Sequence, residues 1–283
     1  MKKLRAFDVF GNIAIVKFPD GMSLTGKKKF ANKIFRENGS VRTILEKVGK
    51  FSGRLRKMKT CYVAGEKTKE VLYKENGCVF RFNIDTTYFS SRLSNERKEV
   101  AGKVKKKDKV LVMFAGVAPF SITIAKKSGA EVWSNEINRE ANKYAKLNIE
   151  LNKLKGRVHL VSGDIKRIFN ANASAYPTPP KTGTRPKTDT SPKLIAIPNT
   201  FDVIVMPRPN LKESFLKEAF KVSKKGTRIF YYGFCEEKDK GKVVEQIKEE
   251  AKKAKKKIKI LKSSKAGEIG PYRIRLRVEM RVI

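Results

Sequence analysis

The sequence predicts an α/β fold, a Rossmann-like sheet of seven strands preceded by a small α+β module. Three observations carry this. Short apolar runs alternate with helically spaced segments from Lys109 to Ala254. At the head of that alternation, Lys109–Phe120 (KVLVMFAGVAPF) passes from an apolar run through small residues to a proline where a helix can begin. The chain then closes on two alternating runs, Lys257–Leu261 and Tyr272–Val282, separated by Gly267–Pro271, the pattern of an antiparallel pair.

In chain order, Phe10–Phe18 (FGNIAIVKF) reads as a strand, Gly26–Phe35 as a basic amphipathic helix and Val41–Val48 as a strand. Phe51–Thr60 (FSGRLRKMKT) is a basic segment holding Arg54, Arg56, Lys57 and Lys59. Glu70–Tyr73 and Cys78–Asp85 flank Asn76-Gly77, a dipeptide that accepts the positive φ of a type I′ hairpin turn. Residues 1–85 therefore form a small α+β domain whose charge suits nucleic acid. Thr86–Ala101 should hold a helix capped by Ser94 or Asn95. Residues 86–283 carry the large sheet, with strands at Lys109–Phe114, Glu131–Asn135, Val158–Ser162, Phe201–Met206 and Thr227–Tyr232. The helices between and after them fall at Phe120–Ser128, Arg139–Asn152, Leu211–Val222 and Lys242–Ala254. In the last strand, Ile274, Leu276, Val278, Met280 and Val282 share one face and arginines with Glu279 the other, so it is expected half-exposed. Asn170–Thr200, rich in Pro, Thr, Ala and Lys, has neither period and is expected to be a flexible insertion.

The loop Ala115-Gly116-Val117-Ala118 lets backbone approach a ligand closely. Glu136 stands twenty residues past Gly116 at the end of the next strand, where an acid can accept ribose hydroxyls. The loop is not G-x-G-x-x-G, so a single nucleoside fits better than a dinucleotide. An ordinary α/β turn with a coincidental acid is the alternative.

Composition narrows the partner. Of 283 residues, 65 are Lys or Arg and 28 are Asp or Glu, a net charge of +37 that calls for a polyanion, most simply nucleic acid held by its phosphates. Cys61, Cys78 and Cys235 are scattered without a CxxC and read as reduced thiols, and no metal site is expected. His159, alone in a strand pattern, reads as structural. With no signal peptide or transmembrane run, a cytoplasmic location is expected.

At Tyr88–Arg97 (YFSSRLSNER) and Met113–Ser121 (MFAGVAPFS) the sequence resembles the archaeal and eukaryotic tRNA (guanine-37-N1)-methyltransferases, whose pattern is YFSPRLxxER followed by DMFAGVGPFS. The likeness extends back through Gly11–Val16, Ser52-Gly53 and Lys74–Gly77, and forward through Asn148 and Asn152 to Gly163-Asp164. The resemblance implies a class I methyltransferase, with S-adenosylmethionine as cofactor and the anticodon loop of tRNA as target, acting as a monomer. By position it implies that Arg97, Phe114, Gly116, Glu136, Ile137, Asp164 and Ile165 hold the cofactor. It implies Glu96 as general base and Arg56 beside the guanine, with Tyr88, Arg92, Pro207 and Pro209 completing the active site. Three positions depart from the pattern: Val112 for Asp, Ala118 for Gly, and Pro207-Arg208-Pro209 for Asn-Leu-Pro. The last resembles the wyosine-pathway members, which also methylate C7 of 4-demethylwyosine.

These residue types suit the chemistry. Guanine N1 keeps its proton at neutral pH, and a carboxylate in reach that removes it contributes roughly 10²–10⁴-fold. An arginine near O6 stabilises the charge that develops. Two alternatives stand beside methyl transfer: aminocarboxypropyl transfer to the wyosine base, and a non-catalytic RNA-binding protein with a degenerate pocket.

Overall fold

The structure, a computed structural model, describes residues 7–53, 55–170 and 197–283. Arg54 and most of the expected insertion, residues 171–196, lie outside the described residues. No helix among the described residues is long and apolar enough to cross a membrane.

The chain opens with a four-stranded sheet in the order β1-β2-β3-β4 (Phe7–Phe10, Ile13–Val16, Thr43–Ser52, Lys57–Gly65). The single strand expected at Phe10–Phe18 is two, because Gly11 takes φ +54° and turns the chain at Gly11-Asn12. A Cβ at Gly11 would stand 1.9 Å from the Leu72 carbonyl oxygen, so nothing larger than glycine fits. Helix α1 (Leu24–Glu37), capped by Ser23, buries Ala31 and Ile34 on this sheet against Val16, Phe18 and Ile44. Next comes the hairpin β5–β6 (Glu70–Glu75, Cys78–Asn83), with Asn76 and Gly77 both at positive φ as its turn requires.

The large sheet holds seven strands in the order β12-β13-β11-β10-β7-β8-β9. They are β7 (Lys109–Val112), β8 (Glu131–Glu136), β9 (Val158–Ser162), β10 (Phe201–Met206), β11 (Ser223–Glu236), β12 (Ile258–Gly270) and β13 (Arg273–Val282). β13 alone runs antiparallel, inserted between β11 and β12. Helices α2 (Ser94–Gly102), α3 (Pro119–Ser128), α4 (Arg139–Leu151), α5 (Ile165–Asn170), α6 (Leu216–Lys221) and α7 (Lys240–Lys253) flank it.

Four expectations shift. Ser94 does not cap α2; Leu93 holds that position after a 3-10 turn, Ser91–Leu93, and the Ser94 hydroxyl accepts from Asn76. The helix expected from Leu211 begins only at Leu216, since Arg208 Nη1 claims the carbonyls of Leu211 (2.9 Å) and Glu213 (2.8 Å). The short α5 carries no strong period and was not expected. β13 is not half-exposed: Arg275, Arg277 and Glu279 are all buried, Arg277 on Glu96 and Glu99 of α2, Glu279 between Lys103 and Arg228, and Arg275 over the Phe234 ring.

Asparagine amides hold the hairpin to both neighbours. Asn148 and Asn152, four apart on α4, accept from the backbone N–H of Arg81 (2.7 Å) and Val79 (2.9 Å) and donate back to the same residues' carbonyls. On the other side, Asn12 donates to the Glu70 carbonyl and accepts from the Leu72 N–H. Each amide acts as a one-residue strand edge. A single apolar cluster, including Phe10, Leu45, Phe80, Phe82, Val112 and Phe230, runs unbroken from the first sheet into the large one.

Candidate active site

The cleft lies at the carboxyl ends of the parallel strands, where an open α/β sheet binds ligands. Its open space is about 810 Å3. One wall is the loop after β7. Phe114, Gly116 and Ala118 all take left-handed φ there (59°, 59° and 66°), a run that lifts the backbone off the sheet before Pro119 starts α3. At Ala118 that conformation strains an L-residue, which explains why glycine suits the position. A Cβ at Gly116 would come within 3.3 Å of the Tyr88 carbonyl oxygen, so two backbone segments close on each other at this point.

Glu136 forms the floor. Its carboxylate accepts from the N–H of Gly116 (2.7 Å) and of Asn138 (2.8 Å). Burial pushes its carboxyl above the usual range, while those backbone donors pull the other way. Asn138 caps α4 through Glu140 and donates to the Thr86 carbonyl, fixing the turn after Glu136. Asn135 is buried and donates to the carbonyls of Val161 and Gly163, tying β8 to the end of β9. Asp164 follows there, accepting from Lys166 N–H at the start of α5. Ile137 and Ile165 supply apolar lining. The cradle is thus apolar walls, a small-residue loop and a buried acid, which suits a nucleoside and its sulfonium side arm.

Arg56, Tyr88, Pro207 and Pro209 also line the cleft. The Arg56 guanidinium lies 4.3 Å over the Tyr88 ring. Pro207 and Pro209 line the cleft on either side of Arg208, whose guanidinium is buried against Tyr231 and Phe234. Arg275, buried on β13, also lines it.

Three of the expected site residues lie elsewhere. Arg97 is 1% exposed. Its guanidinium clasps Glu75 with two bonds, donates to the Ser90 carbonyl and sits between the rings of Phe89 and Phe120. Arg92 is exposed and meets Asp8 at 3.3 Å. Glu96 Oε2 accepts from Arg277 (2.6 Å) and from the Tyr232 hydroxyl (2.9 Å), one turn beyond Leu93, which does line the cleft. Arg277 also pairs with Glu99, and its bonds hold the Glu99 carboxyl down to about 2.

Sequence reasoning missed Asn135, Asn138 and Arg275. Asn138 carried a readable signal, an asparagine just before a helical period. Arg275 did not, since its alternation matched a solvent face. His159 is buried against Trp133, and the three cysteines are free. Among the described residues no cluster of His, Cys, Asp or Glu is placed to hold a metal.

A seven-stranded sheet with one reversed strand, and a cleft at its carboxyl edge between a small-residue loop and a buried acid, define a Rossmann-like class I methyltransferase. Residues 71–176 match the TRM5/TYW2 methyltransferase domain. The chain is 32% identical to the tRNA (guanine(37)-N(1))/4-demethylwyosine(37)-methyltransferase Taw22 of Nanoarchaeum equitans, over 98% of this chain and 100% of that one. It is 31% identical to the tRNA (guanine(37)-N(1))-methyltransferase Trm5b of Pyrococcus abyssi, over 98% of this chain and 74% of the relative. The crystal structure of that Trm5b superposes with a TM-score of 0.79 at 30% identity, covering 99% of this chain and 75% of the other. The chain belongs to the TRM5/TYW2 family of methyltransferases.

Proposed function

We propose that the chain methylates N1 of guanine-37 in tRNA, using S-adenosylmethionine. The observation that carries this is the convergence of two residue sets on one cleft: Phe114, Gly116, Glu136, Ile137, Asp164 and Ile165, and with them Arg56, Tyr88, Pro207 and Pro209. The first set holds the cofactor, which when bound supplies an electrophilic methyl group. Glu136 takes the ribose hydroxyls and Asp164 the adenine edge, with Phe114, Ile137 and Ile165 around the base. The family's solved structures include TYW2 of Methanocaldococcus jannaschii in complex with AdoMet, alike in fold at 20% identity and a TM-score of 0.66.

The second set receives the target base. The base leaves the loop's stack to reach it, as for other base-modifying enzymes. Arg56, held over the Tyr88 ring, faces the developing negative charge at O6. Glu96 takes the N1 proton by turning from Arg277 toward the cleft, a rotation about its own side chain from one turn beyond Leu93. Residues 1–85 and the surplus positive charge hold the anticodon stem and loop through phosphates. The enzyme works as a monomer in the cytoplasm, and Arg92 acts on the RNA rather than at the reacting atoms.

The test is single-turnover methylation by Glu96→Gln, which keeps size and hydrogen bonding but cannot take the proton. The expected loss is at least ~10²-fold with cofactor and tRNA binding retained. Undiminished chemistry would remove Glu96 from the mechanism, and a product heavier by an aminocarboxypropyl group would replace the reaction itself.

A second activity, C7 methylation of 4-demethylwyosine, is favoured by Pro207-Arg208-Pro209. Pro207 lacks the amide that would hold guanine in one pose, and Arg208 Nη1 is engaged by the carbonyls of Leu211 and Glu213, so neither side chain commits the site to one base edge. tRNA bearing each base, assayed with wild type and Pro207→Asn, decides it. Methylation of guanine alone by the wild type excludes the second activity.

A further inference from the structure

The β12–β13 turn is built against local preference. Gly270 pairs with Arg273, so the turn is the two residues Pro271-Tyr272. Proline at the first central position is favourable, but the second takes φ +58°, a conformation suited to glycine or asparagine. A tyrosine occupies it and is 86% exposed, so its side chain gains little packing among the described residues to offset the strain, and the bond from the Glu237 N–H to its backbone carbonyl (2.9 Å) is one any residue there could accept. A locally costly residue without a local gain marks a site of use.

Its surroundings indicate the use. β13 is antiparallel to β11, so its first residues lie at the carboxyl edge of the sheet, the edge that holds the cleft. Tyr272 and Arg273 line a groove with Arg92, and two of the segments that border this groove also border the cleft. Arg275, two residues along β13, lines the cleft, and so does Leu93, next to Arg92. Glu237 and Glu268 also border the groove, but Lys265 pairs with both (3.6 and 2.6 Å), so they do not present bare negative charge. Arg92 and Arg273 remain at the rim, and Arg92 is held by an exposed pair with Asp8. An exposed aromatic sharing a groove with two arginines near a base-modifying cleft is the kind of surface that binds unpaired nucleotides, with rings stacking on bases and arginines on phosphates.

We propose that Tyr272 is a stacking platform for an unpaired base of the RNA substrate next to the target nucleotide, with Arg92 and Arg273 on the adjoining phosphates. This rests on the reading of tRNA as substrate. Stacking holds the strand while the target base is turned into the cleft, so it acts on RNA affinity and not on the methyl transfer step.

The test compares Tyr272→Gly, Tyr272→Ala and Tyr272→Phe in binding an unmodified tRNA transcript with guanine at position 37. Tyr272→Gly is the decisive variant because it relaxes the turn: it should melt at or above the wild-type temperature yet bind tRNA about tenfold or more weakly, the order expected for one lost stack. Tyr272→Ala should lose as much affinity, and Tyr272→Phe should keep it. Calorimetric affinity for S-adenosylmethionine should not move in any of them. A transcript abasic at positions 36 and 38 should bind wild type and Tyr272→Gly alike. Wild-type affinity in Tyr272→Gly overturns the proposal, as does an equal loss in Tyr272→Phe, which would assign the effect to the hydroxyl. Because binding is read apart from turnover, a wild type that binds tRNA without methylating it would sink the proposed function and leave this test standing.

Discussion

Arg277 should be the most costly single charge to remove from the large sheet. It is 1% exposed and lies between Glu96 and Glu99, at 2.6 Å from the first and 2.9 Å from the second through the same nitrogen. Arg277→Met keeps the length of the chain and fills its volume, but leaves the Glu96 carboxylate, 12% exposed, with the Tyr232 hydroxyl in place of a cation. Breaking a buried pair from one side costs about 3–5 kcal/mol. For a domain of this size each kcal/mol moves the melting temperature by about 2–4 °C, so a fall of about 6–20 °C is expected. Circular-dichroism melts at pH 7 would show it. The pH dependence follows from Glu99, held at about 2 mainly by its bond from Arg277. A carboxyl held below its ordinary 4.5 contributes its stability above that value and loses it as pH falls toward 2. The difference between wild type and variant should therefore be full above about 4.5 and shrink in acid. Glu96→Gln with Glu99→Gln in the same chain should recover much of the loss. A variant melting within about 2 °C of wild type, or a triple variant no better than the single, would refute the reasoning.

Four other outcomes are expected. Gly11→Ala should cost at least about 2 kcal/mol in urea unfolding, since its Cβ would meet the Leu72 oxygen at 1.9 Å; an unchanged midpoint would mean the turn has room to shift. Ala118→Gly should stabilise by up to about 1 kcal/mol by relieving φ +66°, and a lower melting temperature would show that the Cβ packs usefully. Glu136→Gln should weaken S-adenosylmethionine binding by tenfold or more in calorimetry while the fold holds; equal affinity would take the ribose contact from it. tRNA affinity should fall steeply with salt, by about 0.7 in log–log slope per phosphate neutralised on single-stranded RNA, and a flat response would deny a phosphate-led interface.

Most of the large sheet was legible because its strands are short apolar runs set apart by helices of clear period. β9 and β10 fall where the alternation places them, at Val158–Ser162 and Phe201–Met206. The meeting of the loop after β7 with Glu136 was legible for a similar reason: small residues and one acid at fixed separation are a local pattern. What was not legible is long-range pairing. The alternating arginines of β13 look like a solvent face until α2 brings Glu96 and Glu99 over them, from about 180 residues away in the chain. Arg97 stands beside Glu96 in the same motif, yet its charge is used by Glu75, whose position depends on a hairpin turn elsewhere. The late start of α6 has the same origin, because a side chain from the strand end takes carbonyls that helix turns would use.

The asparagine links to the hairpin carry a consequence for how the protein opens. The amide protons of Leu72, Val79 and Arg81 point away from their own ladder, and each is held by one asparagine side chain. They will exchange with solvent when an amide group swings aside or the hairpin lifts from its neighbour, without any strand pair parting. Leu72 thus keeps time for the first sheet and Val79 and Arg81 for α4, two clocks on one hairpin that need not run together. Asn148 holds the Val117 carbonyl as well, so the clock on that side is wired to the loop after β7 that lines the cleft. A ligand that stills that loop should slow Arg81 and leave Leu72 at its own pace.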